Sequence, residues 1–385
     1  MAPHECLTAS DETFGSTKRS KHMRIISLGR QACAVAGVIA ITFPAPAAAL
    51  RWSKARPLGD GALTSVACPT PAACFAGARS KIVFSRNAFS ATSAWTSRRV
   101  VPAPAPSPFF TIPNSIVGIS CPSTSFCGAV DYTQEVLTST KPLASSGLYR
   151  QTTLPGAQHV STISCPAADL CLVGDSGGDI ASTTRPSAGA SAWHLHHVDQ
   201  ATVPCSDSSQ GPMVCQSAID GMDCPSIRLC LAVDDAGQVF ASTDPTAARP
   251  RWTATKVASP TPNPSLGGVY AQITCPSTTF CAVLEVTAGE ILTSVAPASG
   301  RWRSSSLNDT TLTSISCASA HLCAAIDHRG DVLSSADPGR RRPTWTRQHI
   351  DRARTPRFDS LTGIACPTAR ECVAVDGSGN VLIGR

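Results

Sequence analysis

Short apolar runs of four to six residues recur along the chain from residue 51 onward, separated by turn-forming residues. Seven times an apolar residue stands two positions before a cysteine: Val66, Ile119, Ile163, Met222, Ile273, Ile315 and Ile364 precede Cys68, Cys121, Cys165, Cys224, Cys275, Cys317 and Cys366. That spacing puts both side chains on one face of a strand. Proline follows the cysteine in six of the seven cases, with Ala318 the exception, and is expected to end the strand because it cannot donate to a ladder. A second segment starts at a second cysteine six positions on, as in Cys230 to Asp234 or Cys372 to Asp376. A third follows a glycine, as at 237–242 and 330–335. The fourth is announced by Trp95, Trp193, Trp252, Trp302 or Trp345, with Tyr149 in that slot of the second repeat. Sustained 3.6-residue periodicity is missing from this part of the sequence.

The unit repeats at intervals close to 50 residues. Four sequential short strands per repeat predict an all-β, seven-bladed β-propeller built of four-stranded antiparallel blades. The last repeat ends at Arg385 after three strands, while residues 51–58 form an unattached fourth strand at the other end. If that N-terminal strand completes the last blade, the ring closes. A β-solenoid would have no use for such a displaced strand. The tryptophans are expected to pack between blades, where their area is most useful.

Composition supports turns over helices: 30 prolines, 27 glycines, 15% charged residues and only six glutamates in 385 residues. The first 49 residues read as a signal peptide with an extended n-region. Lys18, Arg19, Lys21, Arg24 and Arg30 precede an apolar run from Ala32 to Phe43 and small residues near Ala47 to Ala49. Twelve apolar residues are short for a bilayer span, so no stable membrane span is expected after cleavage. Residues 50–385 form the propeller. They carry 27 Lys/Arg against 23 Asp/Glu, a mild net charge that argues against nucleic acid as partner. The densest cationic run is Arg340 to Arg342, expected to be a solvated loop.

Sixteen cysteines remain after residue 49, an even number. In an exported chain, regular even pairing implies disulfides: Cys68–Cys74, Cys121–Cys127, Cys165–Cys171, Cys224–Cys230, Cys275–Cys281, Cys317–Cys323 and Cys366–Cys372, with Cys205 and Cys215 as an extra pair. Five intervening residues do not fit a structural zinc site, and no metal or cofactor is expected.

Long connections are expected on one face of the ring, and binding usually resides in such loops. The candidates there are Phe109 and Phe110 in the proline-rich connection 101–115, and Asp199 and Asp207 in the connection 199–218. Asp131, Asp175, Asp234, Glu285, Asp327 and Asp376 recur four residues after the second cysteine, with Ala78 breaking the series. They could ring a cation. Each also opens a hairpin turn, mostly Asp-x-x-Gly, where the carboxylate bonds nearby amides, and that reading is preferred. The segment 174–178, Gly-Asp-Ser-Gly-Gly, spells the serine motif of chymotrypsin-like proteases, and His321 sits in a loosely similar histidine segment. Both fall in ordinary repeat slots and in the wrong order, so they are read as coincidence.

The phrase at 366–376, Cys-Pro-Thr-x-x-x-Cys-x-Ala-Val-Asp, resembles a repeat of exported actinobacterial β-propeller proteins. It is distantly similar to the sialidase-like and photosystem-assembly-factor-like propellers with Asp-box repeats. Ser242 to Asp244 and Ser335 to Asp337 begin like that box, but Trp252 and Trp345 come late. The resemblance implies the fold and says little of activity, because one fold hosts many functions; the function expected is a secreted, monomeric binding or scaffold module for an extracellular glycan or protein. The alternative it carries is a sialidase-like glycoside hydrolase, needing a tyrosine nucleophile, a glutamate partner and converging arginines. Tyr132, Tyr149 and Tyr270, with Glu135, Glu285, Glu290 and Glu371, are the residues available for it.

Overall fold

In a computed structural model, the residues described are 50–101, 115–131, 134–144, 147–207, 211–257, 271–286, 289–307, 309, 311–351 and 360–385. Ala45–Arg385 forms one compact unit. Seven four-stranded antiparallel sheets follow one another as blades 1 to 7, over 63–99, 116–153, 160–197, 219–256, 271–306, 312–349 and 361–384. Within each, strands pair in chain order. The fourth place in blade 7 is taken by the N-terminal strand Arg56–Pro57, which pairs antiparallel with Val381 and Asn380. The regular ladder there is short, but main-chain bonds extend it: Arg51 N–H to Arg385 O at 2.7 Å, Ser53 N–H to Ile383 O at 2.8 Å and Leu58 N–H to Gly379 O at 3.0 Å. The ring is closed.

Proline does not end the first strand. In blades 2 to 7 that strand continues past the cysteine, as in Ile116–Ser123 and Leu361–Thr368. The pairing shifts register there, for example between Ser120 and Ser123, so Pro122 lies where no ladder partner needs its missing N–H. All seven C-x5-C pairs are disulfides with Cα atoms 4.0–4.1 Å apart, each stapling the first two strands of one blade.

The core lies between blades. Trp95 packs with blade 1 residues and with Val373, Val375 and Val381 of blade 7. Trp193, Trp252, Trp302 and Trp345 sit likewise against the preceding blade, and Tyr149 against Phe75 and Phe84 of blade 1. Trp52 fills the same place between blades 7 and 6.

The first strands line a narrow polar channel of about 220 Å³, with Thr64, Ser161 and Thr362 on its wall. Hydroxyls there link neighbouring blades. Thr313 Oγ1 donates to Leu361 O and Thr362 Oγ1 to Leu63 O, both at 2.8 Å. Thr64 and Ser161 donate likewise to Ile116 O and Ile219 O. A second belt lies one turn along, where the residue before the first cysteine accepts the next blade's cysteine amide. Ser120, Ser164, Asp223, Thr274 and Ser316 accept from Cys165, Cys224, Cys275, Cys317 and Cys366. Alanine occupies this slot in blades 1 and 7, at Ala67 and Ala365. The seam between blades 7 and 1 therefore lacks this second bond.

Candidate binding face

The turns between second and third strands share a face with the connections from one blade to the next. In all seven blades the turn residue before the third strand accepts an amide from the start of the outgoing connection. Asp199 N–H reaches Gly178 O at 3.1 Å, Asp351 N–H reaches Gly330 O at 3.0 Å, and Leu154 N–H reaches Gln134 O at 3.2 Å. The recurrent acids build these turns. Asp175 accepts the amides of Gly177 and Asp179 at 2.8 and 2.9 Å, and Asp376 those of Ser378 and Asn380 at 2.9 and 2.7 Å. Asp327 does the same for Arg329 and Asp331. Burial raises the Asp175 and Asp327 carboxyls despite those amides. Among the described residues no cluster of His, Cys, Asp or Glu is arranged to hold a metal ion.

The connection from blade 3 to blade 4 is not a plain loop. Thr202–Asp207 and Gly211–Gln216 form a two-stranded hairpin outside the seven blades. Sequence alternation there is broken by Pro204 and Pro212, which hid the strands. Cys215 is disulfide-bonded, while the side chain of Cys205 lies outside the described residues. Such a hairpin is marginal alone, and its base is tied to the ring at several points. Gln216 Nε2 donates to the carbonyls of Asp199 and Ala201, both at 2.9 Å. Ser217 Oγ donates to Asp235 Oδ1 at 2.6 Å, and Ala218 N–H to the same oxygen at 3.1 Å. On its second strand, Met213 and Val214 are 43% and 72% exposed.

Asp199 is fully buried at the hairpin base and is no surface contact. Its Oδ1 accepts Ala201 N–H at 2.8 Å and Gln238 Nε2 at 3.3 Å; the same Nε2 donates to Asp234 Oδ2 at 2.8 Å. Burial, then the nearby Asp199 charge, pushes the Asp234 carboxyl well above the usual range. Asp207 ends the first hairpin strand, but its side chain, like Phe109 and Phe110, lies outside the described residues.

Tyr149 is sunk between blades 1 and 2, and burial raises its phenol well above the ordinary value, with Arg98 opposing. Of the glutamates, Glu135 takes Thr153 Oγ1 at 2.7 Å, Glu290 takes Ser304 Oγ at 2.7 Å and Glu371 takes Thr368 Oγ1 at 3.3 Å. Glu285 is buried in its strand. Tyr132 and Tyr270 lie outside the described residues. Ser176 stands in the turn between second and third strands of blade 3, whereas His321 stands in a stapled first turn of blade 6. Those two kinds of turn lie on opposite faces, so the protease-like motif brings no serine and histidine together.

No protein-family model matches the chain, and no curated protein matches it either. Solved structures do. YCF48 bound to a D1 peptide is 12% identical with a TM-score of 0.58, covering 89% of this chain and 99% of that one. The WD40 repeats of RRP9 are 12% identical with a TM-score of 0.63, covering 88% and 98%. The WD40 β-propeller domain of Doa1 is 8% identical with a TM-score of 0.58, covering 87% and 97%. At such identities the likeness speaks for architecture alone: this chain is a seven-bladed β-propeller, closed by its own N-terminal strand.

Proposed function

We propose that the protein is a non-catalytic binding or scaffold module acting outside the cell, and that the hairpin 202–216 docks a protein partner. The observation that carries this reading is an apolar pair, Met213 and Val214, held exposed on a strand that is anchored at its base. Isolated exposed apolar residues are ordinary; here one stands on each face of an anchored hairpin, on either side of an edge that a partner strand could extend. No third strand pairs with it among the described residues, so its edges offer main-chain groups to an incoming strand. One similar propeller is itself bound to a peptide. Seven disulfides fit an oxidising compartment, and the basic-then-apolar N-terminal segment fits export.

The test is photo-crosslinking from position 214 in exported protein, with position 370 on the stapled face as control. A defined adduct from 214, lost when Met213→Ser is added, is the expected result. Equal adducts from both positions would overturn the docking role of the hairpin.

A further inference from the structure

The seam between blades 7 and 1 opens outward into a groove of about 440 Å³. One wall is the closing strand and its neighbour, with Arg51, Lys54, Arg56 and Arg385; the other is the blade 1 connection at Ser90 and Ser93. Trp52 also lines it, partly exposed, with its indole over Gly384. All four cationic side chains are exposed, and none makes an ion pair among the described residues. Cations elsewhere do find acids: Lys81 meets Asp60 at 2.7 Å, and Arg347 meets Asp327 and Asp331 at 3.1 and 2.9 Å. Of the four, Arg56 is fixed among the described residues, donating from Nη1 to the carbonyl and hydroxyl of Ser93 at 2.6 and 3.0 Å.

Grooves on the rim are a product of the fold, and their charge is a product of sequence. The groove by Trp193 is lined by Leu154, Pro155, Ala181 and Leu195 and bears no charge. The groove by Trp302 carries two arginines, Arg301 and Arg303. At the seam there are four cations, and a carboxylate carried by Arg385 would offset only one. Unpaired like charges in a concavity repel one another and concentrate anions. Arginines there can take carboxylate or phosphate in a bidentate grip. An indole, an apolar floor of Val381 and Ile383, and serine hydroxyls add the mixed surface that sugar rings use.

We infer that this groove binds an anionic saccharide, carboxylated or phosphorylated on its rings. The site is remote from the hairpin in the chain and independent of the docking role given to it.

The experiment is calorimetric titration of the propeller with a uronic acid tetrasaccharide and, separately, a sugar-phosphate oligomer. A neutral tetrasaccharide and hexaglutamate serve as comparisons. R51S/K54S/R385S removes three cations that make no side-chain bonds among the described residues, so the ring should melt as the parent does. The expected result is at least tenfold weaker binding of one anionic saccharide by the variant, with a flatter dependence on salt. The tighter of the two anionic ligands identifies the acid group. M213S/V214S should bind the saccharide as the parent does, which separates this site from the hairpin. Equal affinity of parent and triple variant would overturn the inference. So would hexaglutamate binding as tightly as the saccharide, since the groove would then be a peptide site.

Discussion

The Thr362 hydroxyl donates to the main-chain carbonyl of Leu63 at 2.8 Å, joining blade 7 to blade 1 across 299 residues of sequence. It also lies 3.2 Å from Val375 O within its own blade. Because Ala365 offers no oxygen to the Cys68 amide, this seam lacks the second-belt bond and leans more on Thr362. Replacing it with valine keeps the shape and leaves the Leu63 carbonyl without this donor. Thr362→Val should cost about 1–2 kcal/mol, read from urea unfolding, with an unchanged fold by circular dichroism.

Gly384 carries another contact of the closure. A Cβ there would lie 2.9 Å from Trp52 Cε2 and 3.0 Å from Cζ2, inside normal contact with a rigid ring. Gly384→Val should therefore destabilise by about 1–3 kcal/mol through overpacking. Deleting residues 51–58 should do more, exposing the edge of Asn380–Gly384 and promoting self-association. Light scattering and thermal melting would check both. Deleting residues 1–49 should leave the melt unchanged.

Asp223 occupies a slot that is serine or threonine in four other blades, and it accepts the Cys275 amide at 2.6 Å. Burial raises its carboxyl to about 6, with the amides of Cys275 and Cys224 pulling the other way. An ordinary aspartate titrates near about 4. The folded state thus keeps a proton that the unfolded chain has released. The stability from this group is fully present below pH about 4 and is lost as pH rises through about 6. Asp223→Ser should remove that decline. Chemical unfolding of parent and variant from pH 3 to 8 would show the two curves separating between about pH 4 and about pH 6 and running parallel above that.

Gln134 holds a positive φ of 103°, where the matching turns of blades 3 to 7 carry glycine at φ 63–84°. A side chain in this region is strained. Gln134→Gly should stabilise the protein by about 1 kcal/mol once the entropy cost of glycine is counted, measurable as a raised midpoint in urea.

Reduction should be costly. Each staple closes a short loop worth about 2 kcal/mol in the unfolded-chain model, and the seven together are coupled rather than additive. Alkylation with and without reductant, read by mass spectrometry, should find the fourteen C-x5-C thiols blocked until reductant is added. The melting temperature should fall when they open.

Much of this architecture was legible because it is local and repeated. Cysteine spacing, two-residue alternation before Cys366 and its equivalents, and the stray Trp52 strand report strand count, staples and closure. The outer slot of Trp193 and its kin was legible too, since a large apolar residue beside a polar strand must find a second blade. Features joining distant segments were hidden. Arg340 to Arg342 is the densest cationic run in sequence, yet Arg340 meets Asp337 at 3.0 Å. The cationic concentration of the seam arises only when Arg385 folds beside Arg51. The hairpin escaped notice because its prolines disrupt alternation, and Asp199, polar and loop-borne, gave no sign of complete burial.

The closing strand has a consequence for the order of events during synthesis. A ribosome releases residues 51–58 before any blade and Asn380–Gly384 after all the others. The first strand made must therefore wait, unpaired, for the last. Six blades can assemble as they emerge, each against its predecessor, but the ring can close only once residues 380–384 are available as well. Until then blade 7 has a bare edge and blade 1 an uncovered flank. Swapping between two nascent chains would satisfy both, so dilution or a protecting factor during that interval decides whether a single closed ring or a linked pair results.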